Sequence, residues 1–158
     1  MMVEADFYDA AYFGHVPVIY HKSNYSRVGG YREEVSGARE WAQYVRKRLK
    51  ELFPDRDTVR VLEVGCAHGY SVLRMRELGM EAYGVDFSPY VLSTLPDEAK
   101  PYVGYGDARD LQSSEFAQSH APYDVVVSKD VLEHFTEEEL KSVLKGMAKL
   151  APYQIHQV

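Results

Sequence analysis

A short apolar run that passes through a turn of small residues straight into a helical pattern restricts this chain more than any other feature. Residues 59–78 read VRVLEVGCAHGYSVLRMREL. Val59, Val61, Leu62 and Val64 form the run, which Gly65 closes, and a continuous apolar stretch bounded by glycine reads as a buried strand. Ala67 and Gly69 follow, and Val72, Leu73, Met75 and Leu78 then recur at helical spacing as far as Gly79. Glycine lets the backbone turn sharply and lets a ligand approach main-chain N–H groups that a β-carbon would cover. Strand, small-residue turn and helix outline a nucleotide-cofactor site; the plainer alternative is a tight connection within an α/β core.

The rest of the chain repeats the unit. Gly37–Phe53 predicts a helix, with Trp41, Val45, Leu49 and Leu52 on one stripe and Arg46, Lys47, Arg48 and Lys50 on a solvated face. Glu81–Val85 predicts a second strand, ended by Asp86; Ser88 and Pro89 then cap and open a helix to about Leu95. Tyr102–Tyr105 reads as a third strand, Leu111–His120 as helical, and Tyr123–Ser128 as a fourth strand. Thr136 and Glu139 form a capping box for a helix whose buried stripe is Leu140, Val143, Leu144, Met147 and Leu150. Tyr153–Val158 predicts a fifth strand. Strands alternating with helices at this spacing indicate an α/β fold with a doubly wound parallel sheet.

With 158 residues the chain has room for one domain with a real core. A formal net charge of −6 argues against bulk capture of nucleic acid or an anionic membrane. No apolar run is long enough to span a bilayer, and the N-terminus has no basic region followed by an apolar core, so the expected location is cytoplasmic. Cys66 is the single cysteine; within a tight turn it reads as a small filler rather than a nucleophile. The six histidines show no paired spacing, and no metal is expected.

In such a sheet, ligands bind outside the carboxyl ends of the strands. Glu63 lies in the end of strand one, Asp86 ends strand two, and Asp107 follows strand three. Asp86 is placed for a carboxylate to accept both ribose hydroxyls, Phe87 offers a flat surface to a purine, and Asp107 with the Ala108 N–H can meet the purine's edge. A dinucleotide fingerprint needs glycine at the first, third and sixth positions, which here are Gly65, Ala67 and Tyr70. Glycine recurs instead at Gly69. The Glu63-x-Gly65-x-Ala67-x-Gly69 pattern, with VDFSPY (85–90), GDARDL (106–111) and YDVVVSKDVLEHF (123–135), resembles class I S-adenosylmethionine-dependent methyltransferases over about residues 59–158. The FYDAAYF and VGGYREE segments look more narrowly like small-molecule methyltransferases of the type 11/12 group. Ala67 departs from the family's usual glycine.

The resemblance implies a Rossmann-like sheet of order 3-2-1-4-5, without the last two strands that members normally carry. It also implies a chain holding the cofactor half, with the substrate half incomplete. Gly65, Cys66 and Ala67 would face the methionine part of S-adenosylmethionine (S-adenosylhomocysteine after transfer), with Glu63 and Gly69 in the same motif. Asp86 would take the ribose, Phe87, Asp107 and Ala108 would surround the adenine, and the Lys129 carbonyl would meet the amino group. His134 and Asp130 are the nearest candidates for a base, which the reaction does not require; His134 reads first as a loop-holding residue. The Ser128-Lys129-Asp130-Val131 turn lacks the Asn-Pro-Pro-Tyr pattern of enzymes that methylate nucleic-acid bases, so the acceptor is expected to be a small molecule.

Residues 1–36 form an aromatic-rich arm or lid, carrying Phe7, Tyr8, Tyr12, Phe13, Tyr20, Tyr25 and Tyr31 and broken by Gly14, Pro17, Gly29 and Gly30, with Arg27 or Arg32 placed to meet a carboxylate. Residues 37–158 form the cofactor-binding domain. An exposed fifth strand could pair two copies into a homodimer. The alternatives are an NAD-dependent oxidoreductase, disfavoured by Tyr70, and a non-catalytic nucleotide-binding module.

Overall fold

The computed structural model describes residues 4–15, 23 and 30–158; Pro17, Tyr20, Tyr25, Arg27 and Gly29 of the arm lie outside them. Five strands form one parallel sheet: β1 (Arg60–Val64), β2 (Glu81–Asp86), β3 (Val103–Tyr105), β4 (Val125–Lys129) and β5 (Tyr153–Gln157). Their order is β3–β2–β1–β4–β5, so the chain reverses its direction of travel between β1 and β4. This is the expected doubly wound arrangement.

Alternation along each strand sorts the core into two layers. Val61, Ala82, Val125 and Val127 face α2 (Ala38–Leu52) and α3 (Tyr70–Glu77), where Trp41, Val45, Leu49, Val72 and Met75 cover them. Leu62, Val64, Val85 and Val126 face α6 (Glu137–Ala148), which contributes Val143 and Met147. Every residue of β1 except Arg60 is buried, as its continuous apolar run requires. The helix caps follow the sequence: Ser88 Oγ accepts the Val91 N–H ahead of α4 (Pro89–Ser93), and both halves of the Thr136/Glu139 capping box open α6.

Beyond one-residue shifts at the ends of elements, four elements differ from expectation. Helix α4 ends at Ser93 rather than about Leu95, where the Thr94 hydroxyl turns back to the Tyr90 carbonyl at 2.8 Å. Strand β4 starts at Val125 rather than Tyr123, because the Tyr123 hydroxyl is drawn inward to the Ala117 carbonyl and the Asp124 carboxylate accepts the Arg60 N–H. Leu111–His120 is not one helix: a kinked 3-10 segment (Ala108–Ser113) gives way at Ser114 to α5 (Glu115–Ser119). The arm, read as irregular, contains a 3-10 turn at Ala5–Phe7 and the single-turn helix α1 (Glu33–Ser36). Gly37, with φ 66°, ends α1 and opens α2. No helix among the described residues is long and apolar enough to cross a membrane.

Candidate active site

A cavity of about 590 Å³ opens at the carboxyl ends of β1, β2 and β4, where the winding reverses. Its floor is the turn after β1. The Gly65 and Cys66 N–H groups both donate to the Val85 carbonyl, at 2.8 and 3.2 Å, so the turn is stitched to β2. Gly65 has φ 72°, and a β-carbon there would lie 2.4 Å from Val131 Cγ2. Glycine is therefore required twice, by conformation and by space. Ala67 adopts φ 47° without being glycine, a conformation that costs about 1 kcal/mol or more.

The Ala67 N–H donates to Asp86 Oδ2 at 2.9 Å, and the Ser88 N–H donates to Oδ1 at 2.9 Å. Asp86 is 8% exposed. Burial raises its carboxyl above the ordinary carboxylate value, against the pull of the Ser88 and Ala67 N–H groups. The carboxylate is thus fixed at the lip of the turn, with acceptor capacity left toward the cavity.

Glu63 sits deeper. Strand alternation turns it toward α2, where it accepts the Trp41 indole N–H at 2.8 Å and the Ser71 hydroxyl. Burial pushes its carboxyl up to about 7, against the two hydrogen bonds and the nearby Lys129. Cys66 is buried, with its sulfur packed over Gly84, where a β-carbon would come within 2.6 Å of it. Burial, with Asp86 and Glu63 nearby, pushes the thiol well up, which keeps it protonated.

Another wall is built by Phe87, Asp107, Ala108 and Arg109, which all line the cavity. Asp107 caps the following 3-10 segment by accepting the Arg109 N–H at 2.9 Å, and its carboxylate also takes a fork from the Arg109 guanidinium. On the β4 side, Lys129 Nζ donates to the Ser36 carbonyl at 3.2 Å, and Asp130 follows with φ 55°. Lys129, Asp130 and His134 all line the cavity.

Gly69 stands apart from the rest of the expected cofactor set and is not among the lining residues. It is the left-handed N-cap of α3, with φ 77°, and a β-carbon there would meet Val103 and Ala99 at 2.7 and 3.2 Å. Packing of α3 on the sheet explains this glycine.

The described part of the arm lines the cavity with Tyr8, Tyr12, Phe13, Ser23 and Tyr31. The Tyr8 ring lies 5.5 Å from Phe87 and 5.9 Å from His134, and the Tyr8 carbonyl accepts the Ser88 hydroxyl at 2.7 Å. Burial, with Asp86 and Glu133 nearby, raises the Tyr8 phenol to about 12, so it stays protonated. His15 ties the arm down through the Tyr90 hydroxyl and the Tyr31 carbonyl, at 2.7 and 2.8 Å. Arg32, one of the two cations expected over the site, lies outside the lining and pairs with Glu34 at 3.6 Å; Arg27 is beyond the described residues. Among the described residues no cluster of three or more His, Cys, Asp or Glu side chains is arranged to hold a metal ion.

Sequence reasoning did not single out Trp41, Ser71 or Arg109 as site residues. Trp41 carries a readable signal: a buried indole N–H needs an acceptor, and a buried Glu63 needs donors.

Residues 31–153 match the family model for a methyltransferase domain. The chain belongs to the methyltransferase domain family. Its methyltransferase domain is 29% identical over 91 residues to magnesium-protoporphyrin O-methyltransferase of Synechocystis sp.. That alignment covers 58% of this chain and 40% of the relative, so the chain spans well under two thirds of the curated protein it matches. Among solved structures, the domain resembles the Synechocystis PCC 6803 magnesium protoporphyrin IX methyltransferase with bound SAM. The TM-score is 0.60 at 20% identity, covering 93% of this chain and 69% of that one. It also resembles a SAM-bound amino pentose methyltransferase of Micromonospora echinaspora involved in calicheamicin biosynthesis. There the TM-score is 0.59 at 22% identity, covering 87% and 54%. At these identities the likeness establishes the fold, a Rossmann-like methyltransferase sheet.

Proposed function

We propose that this chain binds S-adenosylmethionine and directs transfer of its methyl group to a small-molecule acceptor. The observation that carries the reading is the Asp86 carboxylate, held by the Ala67 and Ser88 N–H groups at the lip of the Gly65 turn, inside a cavity at the reversal point of a methyltransferase-family sheet. Residues 37–158 form the cofactor-binding unit, with the described residues of 1–36 as its covering arm. The residues present fit the cofactor. Gly65 leaves the floor clear, Asp86 suits the ribose hydroxyls, Phe87 suits the purine face, and Glu63 supplies a buried acid to a cationic group. Cys66 and Ala67 line the same floor, and the Lys129 carbonyl suits an ammonium.

Bound there, S-adenosylmethionine supplies a methyl group on positively charged sulfur, already activated for displacement. The chain's part is then positioning and exclusion of water. Tyr8, between Phe87 and His134, walls off the cavity and keeps a hydroxyl donor over it. His134 and Asp130 line the cavity and are the nearest candidates for a base, which the displacement does not require.

Thermal shifts measured in parallel with S-adenosylhomocysteine and NAD test the reading. A rise in Tm with the first alone is expected, since a ligand that binds only the folded state stabilises it. A response to NAD alone makes the oxidoreductase alternative correct, and no response to either overturns the assignment.

A further inference from the structure

The Asp107–Arg109 pair changes what the purine seat can recognise, if the cofactor reading above is right. A carboxylate at the end of β3 suggests an acceptor for a purine's exocyclic amine, but here both of its oxygens are engaged. Arg109 Nε lies 2.9 and 3.0 Å from Oδ1 and Oδ2, Arg109 Nη2 lies 2.7 Å from Oδ2, and the Arg109 backbone N–H donates to Oδ1 at 2.9 Å. Such a fork is the strongest and most directional pairing open to a carboxylate. The guanidinium also covers Phe87, with its central carbon 5.6 Å from the ring centroid. A flat base sandwiched between the two would need about 7 Å, two van der Waals contacts. The gap between Phe87 and Arg109 therefore admits no base.

We propose that Arg109 is a specificity-determining residue of the purine seat. By occupying Asp107 it leaves the exocyclic amine almost unread, so recognition rests on the Phe87 face and the Ala108 N–H. The seat then distinguishes purine from other flat rings better than it distinguishes adenine from a purine lacking the amine.

Calorimetric titration compares S-adenosylhomocysteine with its 6-deamino analogue, in which hydrogen replaces the amine and the ring nitrogens are unchanged. The wild-type protein is expected to bind the two within about threefold. Arg109→Ala frees the carboxylate, and its preference for the amine-bearing compound is expected to widen to about tenfold or more, the range of a hydrogen bond to a charged group. Arg109→Gln, which cannot form the fork but keeps part of the stem, serves if the alanine variant does not fold. The ratio is taken within each variant, so a general loss of stability does not move it. A wild-type preference of tenfold or more, or a ratio unchanged by both substitutions, overturns the proposal while leaving the cofactor reading intact. Failure of the wild-type protein to bind either compound overturns both.

Discussion

Replacing Glu63 by glutamine tests the electrostatics of the cavity floor. Glu63 is 3% exposed, and its carboxyl is pushed up to about 7 from an ordinary 4.5. The folded chain therefore keeps a proton that the unfolded chain releases two to three pH units earlier. Between those values the folded state binds more protons, so stability falls as pH rises: it is fully present below about 4.5 and lost as pH passes through 7. At about 1.4 kcal/mol per pH unit, the loss approaches roughly 3 kcal/mol by pH 8. Glutamine stays neutral throughout; its carbonyl can accept the Trp41 N–H and its amide can donate to Ser71. E63Q is expected to match the wild type near pH 4.5 and to exceed it by roughly 2–3 kcal/mol at pH 8. For a chain of this size that is a Tm gap of about 5–10 °C, opening with pH. Scanning calorimetry at pH 4.5, 6, 7 and 8 reads it directly. A gap independent of pH, or a variant less stable at pH 8, refutes the reasoning. Affinity for S-adenosylmethionine at pH 8 should move the other way, because the variant lacks the charge that would attract a cation.

Two further substitutions probe the turn and its carboxylate. Gly65→Ala forces a β-carbon against Val131 in a left-handed conformation, and should lower stability by about 2 kcal/mol or more in chemical denaturation while removing S-adenosylhomocysteine binding. Asp86→Asn opposes an amide N–H₂ to one of the two N–H groups its carboxylate accepts, so a cost of about 1–3 kcal/mol is expected, with at least tenfold weaker binding by calorimetry.

The parts of this molecule legible in its sequence are those whose signal is local. The apolar run from Val59 to Val64, the glycine that ends it, the Ser88–Pro89 helix start and the Thr136/Glu139 box each occupy a few consecutive residues and each lies where it was expected. Asp86 was legible because its distance from the turn is fixed by one helix and one strand. The remainder depends on contacts across space. Gly65 is obligatory partly because of Val131, which comes from the loop after β4. Gly69 looked like a ligand-facing glycine, yet it answers to Val103 and Ala99. The start of β4 was misplaced because Tyr123 and Asp124 are claimed by partners on other elements. Asp107 could be placed at a strand end, but its engagement by Arg109 depends on a rotamer that no spacing encodes.

The stitching of the Gly65–Cys66 turn to Val85 makes the cavity floor part of the framework, whereas the described part of the arm is attached through side-chain contacts at Ser88, Tyr90, Arg74 and Lys129. Those two attachments tolerate very different degrees of change. On the proposed function, the arm can be exchanged while the cavity floor below stays intact. Grafted arms should accordingly retune selectivity far more readily than any redesign of the floor.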